Sequence, residues 1–397
     1  MNERINAPIS TAELERRWGL VRAAMAEQKI DVLLMQANND FMGGYVKYFT
    51  DIPATNGYPV TVIFPRDEPM TFISQGPFGL ARDLKPGEDD LRRGVGRVLG
   101  TPSYASAGYS NAYDSALAES ALERYAAGTI GLLGRGAISH ALIEDLRRGK
   151  VANARWVDFS DTVDRIKARK SAEEIDFMRR TARMQDEAWQ AVIAALRPGM
   201  RDIELAGIAE QAGRRLGSEQ GLLMCASAPI GVSAMFANRH QQNRVVREGD
   251  YFSLLIETSG PGGFYTEIGR TCVLGKASQE MQDEYAIVLA ARRFTLERLV
   301  PGASGESIWQ AYNEFMRSVK RPEEKRLHCH GQGYDMVERP LVRFDEPMSI
   351  EADMVLACHP TYATERTFSW ICDNYLIGAS GVIERLHTTE EKIFELG

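Results

Sequence analysis

The sequence predicts an α/β protein built as two domains, and three observations lead there. The chain has 397 residues, more than one ordinary hydrophobic core serves. Up to about residue 160 it alternates short apolar runs with amphipathic stretches, the pattern of strands and helices around one sheet. From about residue 170 a long helical stripe opens a second region with strands of its own.

The elements follow in order. Ala12–Gln28 places Leu14, Trp18, Leu20, Val21, Ala24 and Met25 at helical spacing. Ile30–Ala37 is a continuous apolar run, as in a strand buried on both faces. Val60–Pro65 and Met70–Ser74 read as strands flanking the turn-rich Arg66–Pro69, and Thr129–Gly134 as another strand before the helical segment Ile138–Gly149. No phosphate-cradling glycine loop interrupts this domain. A boundary is expected near Arg165–Lys170. Beyond it Ser171 and Glu174 form a capping box, and Ile175, Met178, Ala182, Trp189, Val192 and Leu196 form one apolar stripe that Pro198-Gly199 ends. The sequence Leu196-Arg-Pro-Gly199 returns as Leu299-Val-Pro-Gly302, each time between two helical stretches, which predicts two related halves. Strand-like runs cover Gly249–Glu257, Phe264–Leu274, Asp353–Pro360 and Trp370–Gly378.

Composition narrows the function. A net charge of −7 argues against nucleic acid. The uncharged stretch Gln220–Asn238 holds Pro229 and Gly231, a poor membrane span. The polar N-terminus has no apolar signal core, so a cytoplasmic protein is expected. Cys225, Cys272, Cys329, Cys358 and Cys372 form no C-x-x-C pair, which leaves small buried thiols as the expectation. His240, His328, His330 and His359 crowd into the C-terminal half.

Four segments carry a resemblance: IKARKSAEEIDFMRRTA, EGDYFSLLIETSGPGGFYTEIGRT, the HGQG at His330, and DMVLACHP. Together they resemble the creatinase / aminopeptidase P / prolidase family. The resemblance implies a creatinase-like N-terminal α/β domain over 1–165 and a C-terminal pita-bread domain (α+β, pseudo-twofold) over 166–397. It also implies a homodimer in which one subunit's N-terminal domain covers its partner's pocket. The family's peptidases hold two metal ions with Asp, Asp, His, Glu and Glu. Carried over by motif, these positions are Glu257, Glu267, Tyr334, His359 and Cys372 here, all five changed, while Arg270 and Thr271 keep the end of the second motif. Two remaining carboxylates do not neutralise two divalent ions. The expectation is therefore no metal and no cofactor, with one transition ion on Glu257, Glu267, His359 and Cys372 as the alternative.

Creatinase resembles the same peptidases yet hydrolyses a carbon–nitrogen bond without metal. Its catalytic histidine falls on Asn238, with His240 two residues later. Its carboxylate-holding arginine aligns loosely with Arg339, and the segment Ala54–Val60 implies Asn56 and Tyr58 at the pocket mouth. The function expected is a metal-independent, creatinase-like hydrolase cleaving a C–N bond of a small organic substrate. His359 and His330, with Glu257, Glu267 and His240, would carry acid–base catalysis, and Tyr334, Arg339, Asn56, Tyr58 and Cys372 would bind substrate. The alternatives are a lyase, by elimination or retro-aldol loss of a fragment such as formaldehyde from a small aromatic substrate, and an inactive binding protein. Histidine, tyrosine, glutamate and cysteine are reactive replacements, which favours chemistry over a scaffold. The partners expected are a small molecule and a second copy, with neither nucleic acid nor membrane.

Overall fold

The computed structural model describes residues 7–236 and 243–397, so His240 and Asn238 lie outside the described residues. The chain divides between Lys167 and Ala168 into two compact bodies. Among the described residues no helix is long and apolar enough to cross a membrane.

The N-terminal body holds helices α1 (Thr11–Glu27), α2 (Gly44–Thr50), α3 (Asn111–Leu122), α4 (His140–Arg148) and α5 (Ser160–Ala168). Its strands are β1 (Val32–Ala37), β2 (Val60–Pro65), β3 (Met70–Gln75), β4 (Ala81–Asp83), β5 (Val95–Thr101), β6 (Thr129–Leu133) and β7 (Arg155–Asp158). They form one mixed sheet in the order β4-β5-β3-β2-β1-β6-β7. Central β1 pairs antiparallel with β2 and parallel with β6, and is buried along its whole length, which explains its unbroken apolar run. Its one amide, Gln36, bonds Thr61 Oγ1 at 2.9 Å and the Ser139 N–H at 2.8 Å, so the polar group carries no unmet demand. Ser10 caps α1 by accepting from the Glu13 N–H at 3.1 Å. Leu14, Trp18, Val21 and Met25 of its stripe are buried; Leu20, expected among them, points to solvent.

The C-terminal body begins with α6 (Ala172–Ala195) and α7 (Asp202–Arg215) and later adds α8 (Gln279–Leu296) and α9 (Gly305–Ser318). Its strands are β8 (Gly221–Pro229), β9 (Asp250–Ser259), β10 (Tyr265–Leu274), β11 (Cys329–Gly331), β12 (Glu338–Leu341), β13 (Val355–Cys358), β14 (Thr361–Ala363), β15 (Phe368–Trp370), β16 (Asp373–Gly378), β17 (Gly381–Arg385) and β18 (Phe394–Leu396). Two main sheets run β18-β10-β9-β8 and β12-β11-β13-β16-β17, joined by a bridge between Gly269 and Cys372. The capping box is formed: Ser171 Oγ accepts from the Glu174 N–H at 3.2 Å, and Glu174 accepts from the Ser171 N–H at 2.7 Å.

The recurring Pro-Gly turn does the same work in both halves. The Gly199 N–H donates to Val246 O and the Gly302 N–H to Ile350 O, each at 2.8 Å. The Val246 and Ile350 N–H groups return the bond to Met200 and Ala303, also at 2.8 Å. Both glycines have φ above +90°, which an L side chain resists. In each half a turn between two helices is thereby pinned to a distant loop segment, and the fold is the pseudo-twofold α+β arrangement expected.

Two imidazoles are sealed in this body. Burial pushes His328, stacked on Tyr312 at 3.8 Å, down to about 3, and the same cause pushes His387 down to about 4. Each is neutral in the folded protein while its unfolded counterpart, with an ordinary value of 6.5, takes up a proton first. Stability should therefore be level above pH 6.5 and fall as pH drops toward 4, by on the order of 2 kcal/mol per imidazole between pH 7 and pH 5. Urea midpoints at those two pH values check this; equal midpoints would contradict it.

Candidate active site

The β9–β10 hairpin sets the first half of the site. Its register places Glu257 directly opposite Glu267, and opposed side chains share one face with Cβ atoms about 5 Å apart. The alternation of a strand sends Leu254, Ile256, Ile268 and Cys272 to the other face, into the core under α6 and α7. Both glutamates are buried.

Strands β11 and β13 supply the second half. His330 lies opposite Ala357, and the His359 N–H donates to His328 O at 2.8 Å in the same register. His330 and His359 therefore share a face, with ring centroids 5.2 Å apart. Their Nε2 atoms approach Glu267 Oε1 to 3.3 and 3.9 Å. One ligand atom from each of Glu267, His330 and His359 lies within 4.8 Å of the other two.

The protons in this cluster can be placed. His330 Nδ1 stands 2.9 Å from Gly331 O, and a carbonyl only accepts, so Nδ1 carries the hydrogen. Nε2 is then the ring nitrogen that faces Glu267. Glu267 Oε1 is buried and receives no aligned hydrogen bond among the described residues. Burial alone pushes the Glu267 carboxyl up, but the imidazoles of His330 and His359 pull it below its usual range. Burial, outweighing the nearby Glu267, pushes His359 down to about 4 and leaves it neutral at pH 7. Two imidazole nitrogens and a buried carboxylate oxygen facing one another are three ligand atoms that a cation would satisfy. The spacing fits: two ligands of a tetrahedral ion such as zinc stand roughly 3.4 Å apart. His₂Glu is also the ligand set of mononuclear catalytic zinc sites that leave a position open. The residues present thus fit one transition ion.

Glu257 lies just outside this set. Burial first, and then the charge of Glu267, hold its carboxyl well above the usual carboxylate range, against a hydrogen bond from Gln332. Gln332 Nε2 donates to Glu257 Oε1 at 3.1 Å and to Met336 O at 2.9 Å. Its Oε1 accepts from Asn374 Nδ2 at 2.7 Å, and Asn374 Oδ1 accepts from the Glu267 N–H at 2.7 Å. One chain of amides therefore ties both glutamates together. Sequence reasoning missed Gln332 and Asn374. Gln332 sat in view inside HGQG, whereas nothing in the sequence marks Asn374.

The other expected site residues are placed as follows. Cys372 Sγ donates to Glu267 O at 3.7 Å, and burial pushes its thiol well above the ordinary value. Of Glu257, Glu267, His359 and Cys372, named as the alternative holders of one ion, Glu267 and His359 stand with His330 in a group that could hold one, and Glu257 and Cys372 are not in that group. Tyr334 is buried and stacks on Phe264 at 4.1 Å. Arg339, expected to bind substrate, is paired with Glu346, its Nε 3.2 Å from each carboxylate oxygen and an NH2 nitrogen 2.6 Å from Oε1. Asn56 and Tyr58 belong to the N-terminal body. There Asn56 Oδ1 accepts from the Asp40 N–H at 2.8 Å, and Tyr58 is exposed beside Tyr104. Arg270 is structural: it bonds Asp373 at 2.7 Å, whose other oxygen takes Arg292 at 2.6 Å, all three buried. All five cysteines are buried free thiols, as expected.

Comparison with known proteins adds the family. The family described as Metallopeptidase family M24 matches residues 176–384. The Xaa-Pro dipeptidase of Pyrococcus furiosus is 25% identical over 271 residues, 67% of this chain and 75% of that protein. The creatinase of Bacillus sp. (strain B-0618) is 28% identical over 181 residues, 44% of each chain. The crystal structure of X-Pro aminopeptidase from Thermotoga maritima superposes with a TM-score of 0.77 at 19% identity, covering 96% of this chain and 99% of that one. These findings overturn the expected metal-independent hydrolase and its lyase alternative. The matched family is one of metallopeptidases, a named relative is a dipeptidase, and the three-ligand cluster suits an ion.

Proposed function

This chain belongs to metallopeptidase family M24 and is a hydrolase of that family, and from that premise we propose that it cleaves an amide bond in a short peptide, Xaa-Pro dipeptides being the first substrates to try, with a single divalent transition ion held by Glu267, His330 and His359. The observation that carries the reading is the buried, unsatisfied Glu267 Oε1 facing two imidazole nitrogens. An ion in that position supplies Lewis acidity for the scissile carbonyl and lowers the pKa of a water.

The chain's own groups do the rest. Gln332 occupies Glu257 Oε1, so Oε2 is the atom that holds and moves the proton. Its raised pKa suits a group that passes a proton to the leaving nitrogen near neutral pH. Asn374 keeps the Gln332 amide donor aimed at Glu257 by occupying its carbonyl oxygen. Burial of both glutamates keeps bulk water from the reacting atoms. Arg326, exposed at the start of the segment leading to β11, has a charge that reaches Glu257 and His359, which supports a role in receiving the peptide carboxylate.

Dialysis against a chelator should lower hydrolysis of Xaa-Pro dipeptides at least about a hundredfold, and one added transition ion should restore it. Hydrolysis that survives complete chelation would sink the proposal.

A further inference from the structure

The N-terminal body has a cavity of its own. It measures about 430 Å³ and lies between α1, the turn that joins β2 to β3, and the chain that runs from β4 to β5. Every residue that lines it belongs to this body. Glu15, Trp18 and Arg22 of α1 all line it, and their spacing of three and then four residues places them on one face of the helix. Trp18 is fixed there from two sides. Its Nε1 donates to Phe49 O at 2.8 Å. Gly94, at φ +71°, comes so close that a Cβ would stand 2.4 Å from the ring, so glycine is what lets this turn close over the indole. Leu84 and Val95, both buried, extend the apolar lining.

Most charges around the cavity are matched within the protein. Arg124 holds Glu68 through two bonds of 2.7 Å. Asp89 pairs with Arg82 at 2.7 Å and Arg92 at 3.0 Å, and Arg93 pairs with Asp51 at 2.7 Å. Arg22 is different. One terminal nitrogen donates to Glu68 O at 2.8 Å, and the guanidinium lies over the Phe64 ring, 4.8 Å from its centroid. Its Nε is buried with no hydrogen-bond partner, and no carboxylate forms an ion pair with it, among the described residues. Burial pushes its pKa down, even against the charge of Asp67. A half-buried guanidinium with only a carbonyl and a ring for company is a costly state that a bound carboxylate relieves. Glu15, Lys85 and Asp90 are exposed and likewise enter no ion pair among the described residues. The unmatched groups around the cavity are thus of both signs.

We propose that this cavity binds a free amino acid with an apolar, preferably aromatic, side chain, its carboxylate on Arg22, its ammonium group on Glu15 and its side chain against Trp18. The balance of charge decides between ligand classes. A simple anion such as phosphate would meet Glu15 and Asp90 as well as Arg22, and an amine without a carboxylate would leave Arg22 unmatched. A zwitterion satisfies both signs at once. A charged side chain would have to shed its water against Trp18, Leu84 and Val95 without a partner. The volume lies within the range of small-molecule sites, roughly 300–1,000 Å³. The site stands whether or not the Glu267 cluster holds a metal, and it is separate from the amide-hydrolase reading.

Calorimetric titration of the full chain, treated with chelator, tests it. The probes are L-phenylalanine, L-alanine, L-aspartate, 3-phenylpropionate (which lacks the ammonium group) and phenethylamine (which lacks the carboxylate). Phenylalanine should bind at least about tenfold more tightly than any of the others. Arg22→Gln should weaken phenylalanine at least about tenfold. Glu15→Gln, at an exposed position that keeps the test open should Arg22→Gln fold poorly, should weaken phenylalanine at least about threefold and leave 3-phenylpropionate no weaker. Thermal midpoints show which variants are folded. No binding of phenylalanine, equal binding of phenylalanine and 3-phenylpropionate, or a phenylalanine affinity untouched in the folded variants would overturn the site.

Discussion

Replacing Glu267 by Gln should empty the site of metal and lower kcat/KM by on the order of a thousandfold, the several kcal/mol that a Lewis-acid ion contributes. The substitution keeps shape and removes only the charge. Glu267 is the one group among Glu267, His330 and His359 that brings a negative charge to the cluster, and its ionised form is favoured even though it is buried. An amide oxygen in its place leaves two neutral imidazoles to hold a divalent ion, too little charge for tight binding. The fold should not suffer, because a buried carboxylate without an aligned hydrogen bond is replaced by a neutral group. Metal content and thermal midpoint, measured beside activity, check the argument: the first should fall to near zero, while the second should stay or rise in the metal-free proteins. A Glu267→Gln protein that retains metal and rate would show that the cluster is not the site.

Glu257→Gln should act differently. It should lower kcat by roughly a hundredfold to ten-thousandfold, the usual range for a lost proton-transfer group, and leave metal content unchanged. Glu257 holds a proton where Glu267 does not, because it carries the burial cost of charge and faces its neighbour's charge as well. Gln332 donates to Glu257 Oε1, and an amide oxygen there accepts the same bond, so the geometry should survive. Loss of the ion in Glu257→Gln would make Glu257 a ligand and contradict its separate role.

The hairpin that aligns the two glutamates was legible in the sequence. Two long apolar runs with Pro261-Gly262-Gly263 between them predict an antiparallel pair, and the family motifs pointed to Glu257 and Glu267 themselves. The capping box at Ser171 and the two Pro-Gly turns were also plain, because each is local chemistry. What the sequence hid was register. His330 joins His359 because β11 and β13 pair so that both rings fall on one face, and strand register is a tertiary property that a one-residue slip would reverse. Counting along family motifs instead selected Cys372, whose neutral thiol bonds the Glu267 backbone. The partner of Arg339 was hidden for a related reason: the sequence does not show that Glu346, seven residues on, pairs with it. Asn374 carried no signal at all, because its importance lies in joining Gln332 to the Glu267 backbone across three separate strands and loops. The expectation of metal-free chemistry failed on the same ground. All five family positions are substituted, but two of the replacements, Glu267 and His359, stand together with His330 in a group that could hold an ion.

Elemental analysis of the purified, active protein tests this account most directly. It should find one equivalent of a single transition metal per chain, with activity rising in step with occupancy. Two equivalents per chain, or full activity with none, would contradict it.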